Sequence, residues 1–180
     1  MSKGKKVLSA LLASAILIGG ASAYASSNPE KQAAFEQAAV SATQAVQVAT
    51  AKVAGKATEV DFKFKNGSSY YKVDVVQDNQ GNAEKHEIVV DAKTGEILAD
   101  NVETKHHKKD KDHARAEVKL SLEEAIDISV KNTGGKVKEA DLKAKKGQAR
   151  YVIETIKDGK DYKTVVDANS GNVIQSGIDY

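Results

Sequence analysis

The chain has 180 residues and no cysteine, with 27 Lys and Arg against 25 Asp and Glu and a net charge of +2. This composition excludes structural disulfides and a thiol nucleophile, and no cysteine lipid anchor is expected. Three cations, Lys3, Lys5 and Lys6, sit in the N-terminal segment; without them the net charge falls to about −1, so charge gives no case for nucleic-acid binding.

Those lysines precede an apolar run, Val7 to Ile18, that is short for a membrane span. Ala21-Ser22-Ala23 and Ala23-Tyr24-Ala25 then fit the small-x-small pattern of signal-peptidase sites. A signal peptide over residues 1–25 is expected, with cleavage after Ala25, or after Ala23 as the alternative. An uncleaved N-terminal anchor is the lesser reading. No later stretch is long and apolar enough to span a membrane.

Asn28-Pro29-Glu30 supplies an N-cap, a first-turn proline and an early acid. The alanine-rich run that follows predicts helix to Ala54, with Phe35, Ala39, Ala42, Val46, Ala49 and Val53 on roughly one face. Ser41-Ala42-Thr43-Gln44 has the form of a capping box. Residues 26–40 therefore read as a leader helix and 41–102 as a first module, although one continuous helix fits as well. Gly55 ends the helical pattern.

From Thr58 the period becomes two. Val60, Phe62 and Phe64 form one half-buried strand, and Tyr71, Val73 and Val75 a second after the Asn66-Gly67 turn. Asp78 to Asn82 reads as a polar loop, and His86 to Asp91 as a third strand. Val89-Val90-Asp91-Ala92-Lys93-Thr94-Gly95-Glu96-Ile97-Leu98 then has the grammar of a hairpin. The Asp91 carboxylate accepts backbone N–H bonds inside the turn and Gly95 takes the left-handed position. Glu96 to Leu98 reads as a short fourth strand or an extended tail.

The plan repeats in residues 118–180. Ser121-Leu122-Glu123-Glu124 is a capping box, Gly134-Gly135 stops the helix, and Val165-Val166-Asp167-Ala168-Asn169-Ser170-Gly171 repeats the turn. Ser41, Gly55, Glu59, Asp61, Gly67, Tyr71 and Asp78 recur as Ser121, Gly135, Glu139, Asp141, Gly147, Tyr151 and Asp158. At Asp91 and Asp167 the offset is four residues shorter, which predicts a deletion in the loop before the third strand. Between the repeats, residues 103–117 are almost wholly polar and read as an exposed linker rich in His and Lys.

A helix, a glycine stop, an alternating hairpin with Tyr71-x-Val73 or Tyr151-x-Ile153, and Val-Val-Asp-Ala-x-Thr/Ser-Gly together resemble the PepSY domain, here in tandem. The resemblance implies an α+β fold of two repeated modules, each one α-helix packed on a three- to four-stranded antiparallel β-sheet. It brings no catalytic motif, and His-Glu-x-x-His is absent. PepSY domains occur in propeptides of thermolysin-type metallopeptidases, where an inhibitory role has been proposed. The expectation is thus an exported, periplasmic or secreted protein without cofactor or enzyme activity. Its expected partner is a protein, a peptidase or another envelope protein, which it regulates or inhibits.

Three groups are candidate sites. Asp91 and Asp167, with Gly95 and Gly171, suit either a cation or their own turn amides, and the second reading is favoured. His106, His107 and His113 suit a metal- or pH-responsive role, against which stand the interleaved lysines and the entropic cost of ordering a linker. Lys143, Lys145, Lys146 and Arg150 suit an acidic partner surface or an anionic polymer. Lysines that guard a sheet edge are the plainer explanation.

Overall fold

The computed structural model describes residues 28–79, 82–103, 112–113, 116–145 and 147–179. The expected signal peptide, His106, His107 and Lys146 lie outside them.

Helices α1 (Pro29–Glu36) and α2 (Ala42–Lys52) come first. Strands β1 (Lys56–Lys65), β2 (Ser68–Asn79), β3 (Asn82–Asp91) and β4 (Ile97–Glu103) follow. After the inter-repeat segment come α3 (Leu122–Thr133) and strands β5 (Lys136–Lys145), β6 (Gln148–Lys157), β7 (Lys160–Asp167) and β8 (Val173–Ile178). The leader helix is separate. It ends at Gln37, and Ser41 caps α2 through a complete capping box, as Ser121 caps α3.

The expectation of two modules, each with its own sheet, is corrected here. The strands form one eight-stranded sheet in the order β4-β3-β2-β1-β5-β6-β7-β8. Each half is an antiparallel meander of four strands, and β1 joins β5 along three antiparallel pairs: Glu59↔Asp141, Val60↔Ala140 and Asp61↔Glu139. Val60 and Ala140 are cognates in the duplication, so the seam lies on a pseudo-twofold axis. A module alone is small, and its free first strand would expose backbone donors and acceptors. The join covers the middle of that edge in both halves.

Both helices lie on one face of the sheet and touch each other across the seam. Their buried residues correspond one to one: Ala42, Ala45, Val46 and Ala49 in α2; Leu122, Ala125, Ile126 and Ser129 in α3. This i, i+3, i+4, i+7 spacing gives one apolar stripe per helix. The stripes pack on Val60, Phe62, Tyr71, Val73, Ile88 and Val90 in one half, and on Ala140, Leu142, Tyr151, Ile153 and Val166 in the other. The matched glycines have a steric cause. A Cβ on Gly55 would stand 2.8 Å from the Val76 carbonyl oxygen, and one on Gly135 2.5 Å from that of Ile156.

Two lysines, cognate in the repeat, clasp the halves reciprocally. Lys136 Nζ donates to the carbonyls of Phe35 and Ala38, each at 2.7 Å, and stands 5.0 Å from the Phe35 ring centre. Lys56 Nζ donates to the carbonyls of His113 at 3.1 Å and Ala116 at 2.7 Å. Burial lowers the pKa of both amines. In each case the lysine of one half closes the carbonyls of the segment that leads into the other half's helix. Phe35 is buried edge-on against Phe62, 5.0 Å between ring centres, so α1 covers the first half's core.

The four-residue deletion also falls elsewhere than expected. Residues 78 and 79 belong to β2 and residues 82 to 85 to β3, so the polar loop of the sequence reading is the end of a long hairpin. β2 has 12 residues and β3 has 10, whereas their cognates β6 and β7 have 10 and 8. Each arm has lost two. A loss of two keeps every side chain on its face, where a loss of one would invert the strand.

Phe35→Ala removes a buried ring and the cation's aromatic partner. It is expected to lower unfolding stability by about 3 kcal/mol in urea titration, with α1 losing amide protection first.

Candidate functional site

The two Asp turns are built alike. Asp91 Oδ1 accepts from the amides of Lys93 and Thr94, both at 2.8 Å. Asp167 Oδ1 accepts from the amides of Asn169 and Ser170 at 2.9 and 2.8 Å, and from Ser170 Oγ at 3.0 Å. Gly95 and Gly171 take φ of 77° and 74°, and donate back to the Asp91 and Asp167 carbonyls. The backbone donors, Thr94 then Lys93 in one turn and Ser170 then Asn169 in the other, hold each carboxyl below its ordinary pKa. The following alanines carry the tertiary contact. Ala92 bonds Ser69 and Val40; Ala168 bonds Ala149, Lys119 and Leu120. Each turn thus ties the chain entering its helix to the first hairpin of its half.

His113 is buried, with 3% of its surface exposed, and its carbonyl is held by Lys56. It stands in the second half where Phe35 stands in the first, since both give their carbonyl to the cognate lysine. This corrects the fully exposed linker, as does Glu103, which ends β4. His86 is paired with Asp100, Nδ1 to Oδ1 at 2.9 Å, across β3 and β4. Among the described residues no three His, Cys, Asp or Glu side chains are grouped to hold a metal ion.

The basic hairpin borders an open cleft of about 890 Å³, lined by Lys143, Lys145 and Arg150 with Gln148, Asn169 and Ile174. Lys143 is ion-paired with Asp141. Arg150 lies directly opposite Asp167 in the β6–β7 ladder. Asp167 turns its Oδ1 to the amides of its own turn. No ion pair or hydrogen bond within the described residues engages the Arg150 or Lys145 side chain.

Sequence reasoning passed over the sheet face opposite the helices. At the seam Glu59 faces Asp141 and Asp61 faces Glu139, acid against acid. Lysines surround them. Lys63 pairs with Asp61, Lys72 with Glu87, and Lys85 with Asp74 at 3.1 Å; Lys138 and Lys163 share Glu154 at 3.2 and 3.7 Å. Burial, then the charges of Asp61, Glu154, Glu59 and Asp141, raise the Glu139 pKa. A signal existed in the sequence: Glu59 and Asp61 each recur unchanged at the cognate position. It marks two equal edges that meet, which only the pairing of β1 with β5 makes visible.

The domain model described as peptidase propeptide and YPEB domain, PepSY, matches residues 39–101 and 119–176. The uncharacterized protein YkoJ of Bacillus subtilis (strain 168) is 30% identical over 179 residues, 97% of this chain and 98% of its own length. The crystal structure of a candidate lipoprotein from Clostridium difficile 630 aligns over 78% of this chain and 93% of that one, with 22% identity and a TM-score of 0.47.

Two pH effects of opposite sign follow. Asp91 and Asp167 have lowered pKa values, so their contribution is present above about pH 4 and lost as pH falls through the folded values. Replacing both by Asn is expected to flatten the acid limb of thermal stability while leaving the turns formed. Glu139 has a raised pKa, so its contribution is complete below the unfolded value, about 4.3, and lost as pH rises through the folded value. Glu139→Gln is expected to unfold at higher temperature than the parent at pH 7, with the gap closing near pH 4.

Proposed function

The chain belongs to the PepSY family, and from that premise we propose that it is an exported, non-catalytic binding protein that regulates or inhibits a secreted or envelope peptidase. The observation that supports this reading is strand β8. Among the described residues it is an edge strand, paired only to β7. All six of its residues are exposed, and Val-Ile-Gln-Ser-Gly-Ile carries no charge. Edge strands of this kind accept an extended segment through backbone hydrogen bonds, with side-chain pockets supplying selectivity. The opposite edge, β4, differs. Asp100 and Glu103 lie along it, paired to His86 and Lys85, and charges on an edge discourage strand addition. An inhibitor that offers one open edge can hold a peptidase segment in extended form without supplying a scissile bond of its own.

Export rests on the sequence, on Lys3 to Lys6, the apolar run to Ile18 and the small residues before Ala25. Among the described residues no helix is long and apolar enough to cross a membrane.

The test is an inhibition assay of residues 26–180 against a thermolysin-type metallopeptidase, with intact mass read in parallel. Saturable inhibition with the protein uncut is expected, and Ser176→Pro, which removes an N–H on the outer side of β8, should abolish it. Rapid cleavage, or inhibition indifferent to that substitution, would overturn the reading.

A further inference from the structure

We propose that the cleft beside the β5–β6 hairpin is a second binding site, specific for an acidic protein segment whose carboxylates pair with Arg150 and Lys145. It crosses the ends of β5 to β8, from Lys145 to Ile174, and Ile174 is the β8 residue among those that line it.

Three observations carry this. The first is unspent positive charge. Among the described residues that line it, the cleft holds Lys143, Lys145 and Arg150 with one carboxylate, Asp167, while Asp112 and Glu117 line the hollow that adjoins it at Lys145. Asp167 faces Arg150 across the ladder yet gives Oδ1 to two amides and a hydroxyl of its own turn. Asp141 claims Lys143. Among the described residues a guanidinium and an ammonium are thus left to meet an outside anion, and the planar fork of Arg suits a carboxylate in two-point contact.

The second is the mixture of the walls. Ala144, Ala149, Val152 and Ile174 alternate with the cations, and Ile174 is 60% exposed. A polymer of repeated negative charge leaves such surface unused. A peptide that alternates carboxylates with apolar side chains covers both kinds of wall, and the volume falls within the range of ordinary ligand clefts.

The third is the comparison of the two halves. Arg150 stands where the first half has Tyr70, Ala144 where it has Phe64, and Ala149 where it has Ser69, while Lys145 matches Lys65. The strand register is the same. One half has a large ring at the position where the other has a methyl group, and a phenol where the other has a guanidinium. The cleft is therefore a property of the second half's side chains and not of the fold.

The experiment titrates the intact protein into a fluorescein-labelled peptide that alternates Glu with Val, with anisotropy as readout. A peptide with Lys for Glu and inorganic polyphosphate serve as comparators. The acidic peptide is expected to bind saturably, more weakly at higher salt, and the basic one not at all. Arg150→Tyr and Ala144→Phe install the first half's residues. Each is expected to weaken binding by about tenfold or more, with unchanged unfolding midpoints to show that the fold is kept. No saturable binding of the acidic peptide, affinity unmoved by Arg150→Tyr, or tighter binding of polyphosphate at the same site would each overturn the proposal. No peptidase is present in this assay, so its result and that of the inhibition assay stand apart. Ser176→Pro should leave acidic-peptide binding intact.

Discussion

Three residue pairs, Glu59–Asp141, Val60–Ala140 and Asp61–Glu139, join two four-stranded meanders into one sheet. Two of the three set carboxylate against carboxylate, which is unfavourable for directly opposed residues. The junction is sustained from the other face. Val60 and Ala140 are fully buried there under α2 and α3, and the helices touch over them. Lys56 and Lys136 then tie the chain entering each half's helix to the first strand of the other half. Apolar burial and these clasps outweigh the repulsion between the acids, two of which, Asp61 and Asp141, are buried, because Lys63 and Lys143 pair with those two carboxylates while nothing offsets the loss of buried apolar contact.

The two halves use the same backbone for different surfaces. In the first, Phe35, Phe62 and Tyr71 stack edge to face and fill the space beneath α1. In the second, His113, Leu142 and Tyr151 hold the cognate places, and the Tyr151 hydroxyl donates to the Leu120 carbonyl at 2.8 Å. Substitutions that leave the register untouched have changed what the hairpin presents to solvent. The edges have diverged as well, since β4 carries carboxylates and β8 none. A duplication of this kind separates a scaffold constraint, which both copies obey, from a recognition surface, which each copy is free to vary.

The Asp turns bear on both. Their carboxylates are spent on turn amides, which keeps the turn rigid and holds Ala92 and Ala168 where they can bond the chain ahead of each helix. In the second half Asp167 lies opposite Arg150 in the ladder, and its Oδ1 is turned to the amides of its own turn.

The amino-acid sequence by itself determined the helices, the first two strands of each half, the Asp turns, the duplication and the family. Each of these is written in spacings of two to four residues: capping boxes at Ser41 and Ser121, alternation along Val60, Phe62 and Phe64, and glycines where a turn or a close approach requires them. The candidate cleft was legible only as a run of basic residues, Lys143 to Arg150. Tertiary structure decided the rest. The pairing of β1 with β5 joins residues 78 to 82 positions apart and follows from the fit of two buried faces, which no local spacing encodes. His113 reads as polar linker because its burial depends on the seat that Lys56 and the β5–β6 hairpin provide. The hairpin arms that looked like loop were disguised by their polar composition, for strands at a solvent-facing end keep the period of two only in their backbone.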